Sequence, residues 1–316
     1  METVLGIDFG GSKTALAVSD LDGRRLAEQV IPTRAADGGK TVLERGISAG
    51  RDLLGRVAPG HRLAAVGVST IGIPLGRGVL LAPAIPGWED IALEASIAPV
   101  FGVPVRVATD VKAAATAESR WGALAGTDPG VYVNLGTGLG AAVVVRGRVL
   151  EGAHGASGEI GYNLVSSAGV GREISSRQML EDDVSGMGLA AAGSRLLGRP
   201  VTAEQVFAAA PGDPGLDAIV RAFVLELGHH LVNLAIAVDP ARIAVGGGMA
   251  RAWEHLERPL GQALRCGVPF PPELVLAAHP FDAPLIGALN LAAEAAGTQP
   301  ADGDRSPVNN TDGRET

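Results

Sequence analysis

Two stretches of this chain read alike, and the repetition limits the fold more than any single motif. The first is VLGIDFGGSKTALAVSDLDGRRLAEQVIP (4–32); the second is GVYVNLGTGLGAAVVVRGRVLEG (130–152). Each is an apolar strand, a Gly-rich turn, a second apolar strand, a polar turn and a third strand. In the first copy the turns are Gly10–Gly11 and Asp22–Gly23, the latter a strong hairpin signal. Helical periodicity follows each copy. Leu43, Ile47, Leu53 and Leu54 form one face between Thr41 and Arg56, and a long apolar helix runs from about Leu216 to Val238. Further strands are expected at LAAVGVST (63–70), VPVRVATD (103–110) and RIAV (242–245), with a short helix inside GWEDIALEASIAPVFG (87–102). Strands alternating with helices, in two copies, predict a duplicated α/β architecture whose Gly turns face one cleft.

The GGSKT run in the first turn resembles a P-loop, yet the spacing is wrong. A P-loop needs Gly where Ser12 and Ile7 stand, and it opens into a helix. Here Thr14–Val18 continue as a strand. GTGLGA likewise approaches a dinucleotide fingerprint, but AAVVV is strand-like where that motif requires a helix. Three Gly-rich segments remain: Gly10–Gly11, Gly136–Thr137–Gly138 and Gly246–Gly247–Gly248. They are either plain tight turns or anion cradles, in which converging amides hold phosphate and Ser12, Thr14 or Thr137 adds a hydroxyl. Asp8 sits in an apolar strand just ahead of the first turn, a costly place for a carboxylate without a cation, a partner or water. It reads as a turn carboxylate or as a water-mediated Mg²⁺ ligand beside phosphate. Lys13 is a phosphate contact or a solvated lysine. Asp110 is either the N-cap of the helix that follows it or a general base at a strand's C-terminal end.

The whole chain narrows the classes. At 316 residues it can bury two cores. Hydrophobic residues are 47% of it, without an uninterrupted apolar run of membrane-spanning length. Asp8 breaks the apolar N-terminus, so no secretory signal is expected, and Cys266 is the sole cysteine, which excludes an intrachain disulfide or a cysteine-built zinc site. A soluble, cytoplasmic protein with no membrane partner is the economical expectation. A net charge of −8 argues against nucleic acid as a partner. Residues 297–316, rich in Pro, Asp, Asn and Gly, are expected to be a disordered tail.

IDFGGSKT, VGVSTIGIP, the Asp110 segment, NLGTGLGAAVVV, HGASGEIGYN, LEDDVSGMGLA and VGGGMA stand in the order found in ROK sugar kinases, and this likeness spans residues 3 to 293. The resemblance implies an actin-like ATPase (ribonuclease H-like) fold of duplicated βββαβα units around a central cleft. It implies an N-terminal α/β domain (1–112), a C-terminal one (113–282) and a helix at 283–296 packing back on the first. It also implies ATP and Mg²⁺ as cofactors, a sugar as substrate and a homodimer. Asp110 would be the catalytic base. Asp8, Gly10, Gly11, Ser12, Lys13, Thr14, Gly136, Thr137, Gly138, Gly246, Gly247 and Gly248 would hold the nucleotide, with Asp8 near Mg²⁺. Gly72, Thr109, Asp110, Glu159, Tyr162 and Glu181 would line the sugar. Family repressors carry a helix-turn-helix ahead of this region, for which a hairpin starting by residue 8 leaves no room.

The departures from the pattern bear on substrate. Thr109 replaces the family's Asn, Tyr162 its His, and Ala84 the Asn of its APNLPGW segment. REISSRQM (172–179) stands where many members have a zinc-binding Cys cluster, so no zinc is expected. Thr offers one hydroxyl where Asn offers a separate donor and acceptor. Retaining Glu159 while losing an amide suits an amine at position 3, hence kanosamine (3-amino-3-deoxyglucose). A repacked glucokinase site is the alternative, with N-acetylmannosamine and fructose open. A non-catalytic sugar or nucleotide sensor and a polyphosphate-using kinase are the competing classes. His154 is a substrate contact or a loop residue. His229 and His230 diverge on a helix, Trp88 and Trp121 read as packing anchors, and Cys266 as an unpaired small hydrophobe.

Overall fold

The computed structural model describes residues 1–57 and 60–297. It opens with β1 (Glu2–Phe9), β2 (Lys13–Asp20), β3 (Arg25–Pro32), α1 (Gly39–Arg56) and β4 (Arg62–Thr70). A small hairpin, β5 (Ile73–Leu75) and β6 (Gly78–Leu80), is followed by α2 (Leu93–Phe101), β7 (Val105–Thr109) and α3 (Asp110–Trp121). The second half has β8 (Gly130–Leu135), β9 (Leu139–Val145), β10 (Arg148–Val149), α4 (Leu180–Asp183), α5 (Gly186–Leu197), α6 (Ala203–Ala209) and α7 (Pro214–Val238). It ends with β11 (Arg242–Gly246), α8 (Trp253–Gly267), β12 (Glu273–Leu276) and α9 (Ala283–Gly297).

The duplication is literal. One sheet has the order β3-β2-β1-β4-β7 and the other β10-β9-β8-β11-β12. In each the first three strands form an antiparallel meander and the last two run parallel to the central strand. This is the actin-like ATPase arrangement. Each unit goes one strand and one helix beyond the expected βββαβα, through β7 with α3 and β12 with α9.

Side-chain alternation on the central strands decides what each sheet face carries. Leu5, Ile7 and Phe9 point into the core under α1, where Trp88 meets Phe9 edge-on at 5.3 Å and donates its Nε1–H to Thr70 Oγ1 at 2.9 Å. Trp88 is thus a packing anchor. Val4, Ala15, Ala17 and Ala65 face the other way and take Leu285, Leu289 and Ala292 of α9. Fully burying each such leucine stabilises the fold by about 1.5–3 kcal/mol. Contact this close needs Gly67 in β4, because a Cβ there would lie 1.8 Å from the carbonyl oxygen of Ala288. On the second sheet Val131, Val133 and Leu135 pack under α7, while Tyr132, Ala142 and Val144 face Ala114 and Ala115 of α3.

Some expectations change. α7 is 25 residues long and, by length and composition alone, apolar enough to cross a membrane, although Asp217, Arg221 and Glu226 interrupt it, so no uninterrupted apolar run of that length is present in it. Its buried residues Leu216, Phe223, Leu227, Leu231 and Ala235 belong to the second core. Cys266, read as a small hydrophobe, is exposed. The expected tail begins inside α9 at Gly297, and its remainder, 298–316, lies outside the described residues.

Candidate active site

The parallel strands of the first sheet end together. Phe9 pairs with Thr70 and Thr70 with Thr109, which sets Asp8 and Asp110 along one sheet edge. Asp8 accepts a hydrogen bond from Ser69 Oγ at 2.8 Å. Burial pushes its carboxyl up to about 7, with the nearby charge of Asp110 adding to the effect and the Ser69 hydroxyl opposing it. Asp110 is the first residue of α3, not its cap. Thr109 fills that role, with Oγ1 accepting from the Lys112 amide at 3.2 Å. The capping role thus belongs to Thr109 and not to Asp110. One Asp110 oxygen accepts from the amide of Val111 at 2.8 Å, and burial, reinforced by the charge of Glu181, raises the carboxyl to about 6.

Glu159 and Glu181 reach this edge from the second half of the chain. Glu159 precedes a single helical turn at Ile160–Tyr162. Its carboxyl is raised by burial and by Asp110, and lowered by Lys112. The Tyr162 phenol is raised by burial and by the charges of Glu159 and Glu181. Glu181 accepts from the Leu139 amide at 2.7 Å, just past the second Gly turn. A Cβ at Gly138 would sit 2.4 Å from the Glu181 carboxylate and would push it aside. Asp8, Asp110, Glu159, Glu181 and Tyr162 thus share one electrostatic environment although they come from both halves.

The Gly turns flank these acids. The first closes through Gly10 N–H to Lys13 O at 3.0 Å, and the second through Gly136 N–H to Gly138 O at the same distance. Ser12, Lys13 and Thr137 are exposed at the tips, and Gly11 lies against Ala84. Thr14, expected to offer its hydroxyl to phosphate, instead lies beneath the hairpin at 1% exposure, bonded to Thr33 Oγ1 at 3.0 Å. Gly246 is likewise buried, under the Tyr132 hydroxyl, whereas Gly248 is exposed beside Gly136. Gly247 adopts φ +91° and donates to Pro280 O at 2.8 Å, and it also lies close to Leu135 and Asn134 at the start of the second turn. Gly72 occupies the turn between β4 and β5.

Several contributors escaped the sequence reading. Ser69 holds Asp8. Asn134 lies between Gly136 and Gly247. Ser185 caps α5, whose first amides, of Gly186 and Met187, bond Gly136 O and Thr137 O. The serine of VGVST and the SxxGL start of a helix were the only signals. The segment holding REISSRQM is closed by a Leu164–Met179 bridge and by Arg177 donating to Tyr162 O at 2.8 Å. Among the described residues no three His, Cys, Asp or Glu side chains are grouped to hold a metal. A Mg²⁺ ion arriving with a polyphosphate asks for less, one or two carboxylates and water. Asp8, with one oxygen outside its bond to Ser69, fits that demand.

The comparisons with known proteins agree with this geometry. The ROK family model matches residues 4–295. The glucokinase of Halalkalibacterium halodurans is 28% identical over 280 residues, 82% of this chain and 84% of that one. The bifunctional enzyme NanE/NanK of Brucella suis is 32% identical over 298 residues, 92% of this chain and 53% of the other, so the chain spans about half of that relative. A solved ROK family glucokinase from Streptomyces griseus, in complex with glucose and AMPPNP, superimposes with a TM-score of 0.77 at 28% identity, covering 92% of this chain and 99% of that one.

Proposed function

The chain belongs to the ROK family, and on that premise we propose that it is an ATP-dependent sugar kinase acting on the 6-hydroxyl of a hexose or amino-hexose, kanosamine fitting best. The observation that carries the reading is Asp110, a buried carboxylate with its acidity shifted to about 6, set between two Gly turns. Phosphoryl transfer asks chiefly for positioning and charge neutralisation. Gly11, Ser12, Thr137, Gly138 and Gly248 present backbone and hydroxyl donors to the phosphates, while Gly10 and Gly136 close the turns that aim them. Asp8 would hold Mg²⁺, and the ion, when bound, would neutralise polyphosphate charge. Asp110 accepts the proton of the sugar hydroxyl as its oxygen bonds to the γ-phosphorus and the bond to the ADP oxygen breaks. Glu159, Glu181 and Tyr162 hold the sugar, and a homodimer belongs to the same reading.

Support for an amine-bearing sugar is electrostatic. Asp110, Glu159 and Glu181 outnumber the nearby cation Lys112, so the pocket is anionic and favours a cationic substituent. Thr109 caps α3 and keeps only its O–H as a donor to substrate. The glucokinases among the relatives support the second reading, in which Thr109 and Tyr162 repack a glucose site. ADP release from Mg-ATP across kanosamine, glucose, glucosamine, N-acetylmannosamine and fructose separates them, with Asp110→Asn as control. Kanosamine turning over well above glucose supports the first reading and the reverse order the second. No sugar-dependent ADP from folded wild-type protein, with any sugar tried, overturns the kinase itself.

A further inference from the structure

Among the described residues, Lys112 is the charged side chain near the base that phosphoryl transfer leaves without a task. It is 3% exposed, although lysine is almost never fully buried without partners. It also lies in the first turn of α3, where the helix dipole disfavours a cation. Both costs need compensation, and the side chain finds it outside its own helix. The ammonium donates to the Glu151 carbonyl at 3.1 Å and to the Gly155 carbonyl, and lies 3.5 Å from the Glu151 carboxylate. Two carbonyls take hydrogen bonds from the ammonium and a carboxylate lies within ion-pair distance, all in the segment that leads to Glu159.

That segment, 151–158, is otherwise an exposed turn with little packing of its own. Ser157 N–H closes it onto Glu151 O at 3.2 Å, so the same carbonyl serves the turn and the lysine. At its far end Gly158 O accepts from Ala141 N–H of β9 at 2.8 Å. Gly155 rests against Ile73 of β5. The turn is therefore pinned to β9 at one end and to α3 in its middle, and Glu159 is the next residue. Releasing the middle pin lets the turn, and the carboxylate after it, drift relative to Asp110. A displacement of about 1 Å in such a constellation is enough to cost a hundredfold in rate.

We propose that Lys112 is a positioning residue for the sugar: from the same helix as Asp110 it fixes the 151–158 turn and thereby the register between Glu159 and the base. This rests on the kinase reading above. The nucleotide side, built on Asp8 and the Gly turns, does not depend on this pin. The tests are Lys112→Met, which keeps the stem and removes the ammonium, and Lys112→Gln, which restores two N–H donors. KM for the best sugar, KM for Mg-ATP and kcat are measured for each, with hydrogen exchange of the 151–159 peptide in parallel. The expected result is a sugar KM raised about tenfold or more in Lys112→Met with the ATP KM within about twofold, faster exchange in 151–159, and partial recovery of both in Lys112→Gln. An unchanged sugar KM, or sugar and ATP KM rising together with exchange faster throughout the chain, overturns the proposal. If wild-type protein shows no sugar-dependent ADP release, the kinase reading fails on its own. The pin is then judged by exchange alone, and protection of 151–159 unchanged in Lys112→Met overturns it. If Lys112→Met does not fold, the same readouts on Lys112→Gln decide, since the loss of the charge paired with the Glu151 carboxylate still loosens the turn.

Discussion

Substituting Ser69 by Ala isolates the control of Asp8. The hydroxyl at 2.8 Å stabilises the ionised carboxylate, which burial already holds at about 7. A hydrogen bond to a charged group is worth about 1.5–3 kcal/mol, which at 1.36 kcal/mol per unit moves Asp8 up by about 1–2 units. At pH 7 the ionised fraction then falls from about one half to about 1–10%, a loss of about 5- to 50-fold. Because kcat/KM reports the enzyme before the varied substrate binds, the loss belongs in kcat/KM for Mg-ATP. It shrinks as pH rises and is nearly gone at about pH 9.5, where both proteins are mostly ionised. The assay is coupled ADP release from pH 5.5 to 9.5 at fixed sugar, for wild type and Ser69→Ala. Wild type itself shows an acid limb between about 6 and 7, from Asp110 and Asp8 together. A loss of equal size at every pH, or no loss at pH 7, refutes the reasoning.

Asp110→Asn lowers kcat by about 10²–10⁴-fold while leaving ATP affinity within a few-fold, read by ADP release and calorimetry. The same variant is more stable than wild type above neutral pH. A carboxyl raised in the fold contributes stability below its unfolded value near 4, and that contribution is lost as pH climbs through about 6, so urea midpoints at pH 5 and pH 8 diverge between the two proteins. Glu181→Gln removes a negative charge that raises Asp110, so the acid limb of the rate profile moves to lower pH as the sugar KM increases. Gly67→Ala places a methyl group 1.8 Å from a backbone oxygen of α9, and the urea midpoint falls by the equivalent of about 3 kcal/mol or more.

The strand triplets were legible because period-2 apolar runs and Gly turns are local signals. β12 was missed: four residues of half-exposed ELVL after a Pro-rich stretch carry no periodicity to find. The β5–β6 hairpin was hidden by Pro74, which reads against a strand. The meeting of Asp8, Asp110, Glu159 and Glu181 depends on two halves of the chain folding onto each other, and only the family resemblance anticipated it. Thr14 and Gly246 were over-read. Thr14 lies inside β2 and Gly246 at the end of β11, where both are buried, whereas Ser12 and Gly248 sit just outside those strands in exposed turns. Lys112 was passed over because a lysine in an Ala-rich helix reads as solvated.

α3 and α9 change sides. α3 leaves the first sheet after β7 and covers the second, whereas α9 leaves the second sheet after β12 and covers the first. Where they meet, Gly287 lets α9 lie directly on the Ala113 carbonyl, and Arg120 bonds Asn290. The exchange has a consequence for biosynthesis. A ribosome delivers the first sheet early, but the helix that covers the face bearing Val4, Ala17 and Ala65 follows only after the whole second sheet. The nascent N-terminal half therefore waits with an apolar face uncovered, and that face is closed only when residues 283–297 emerge.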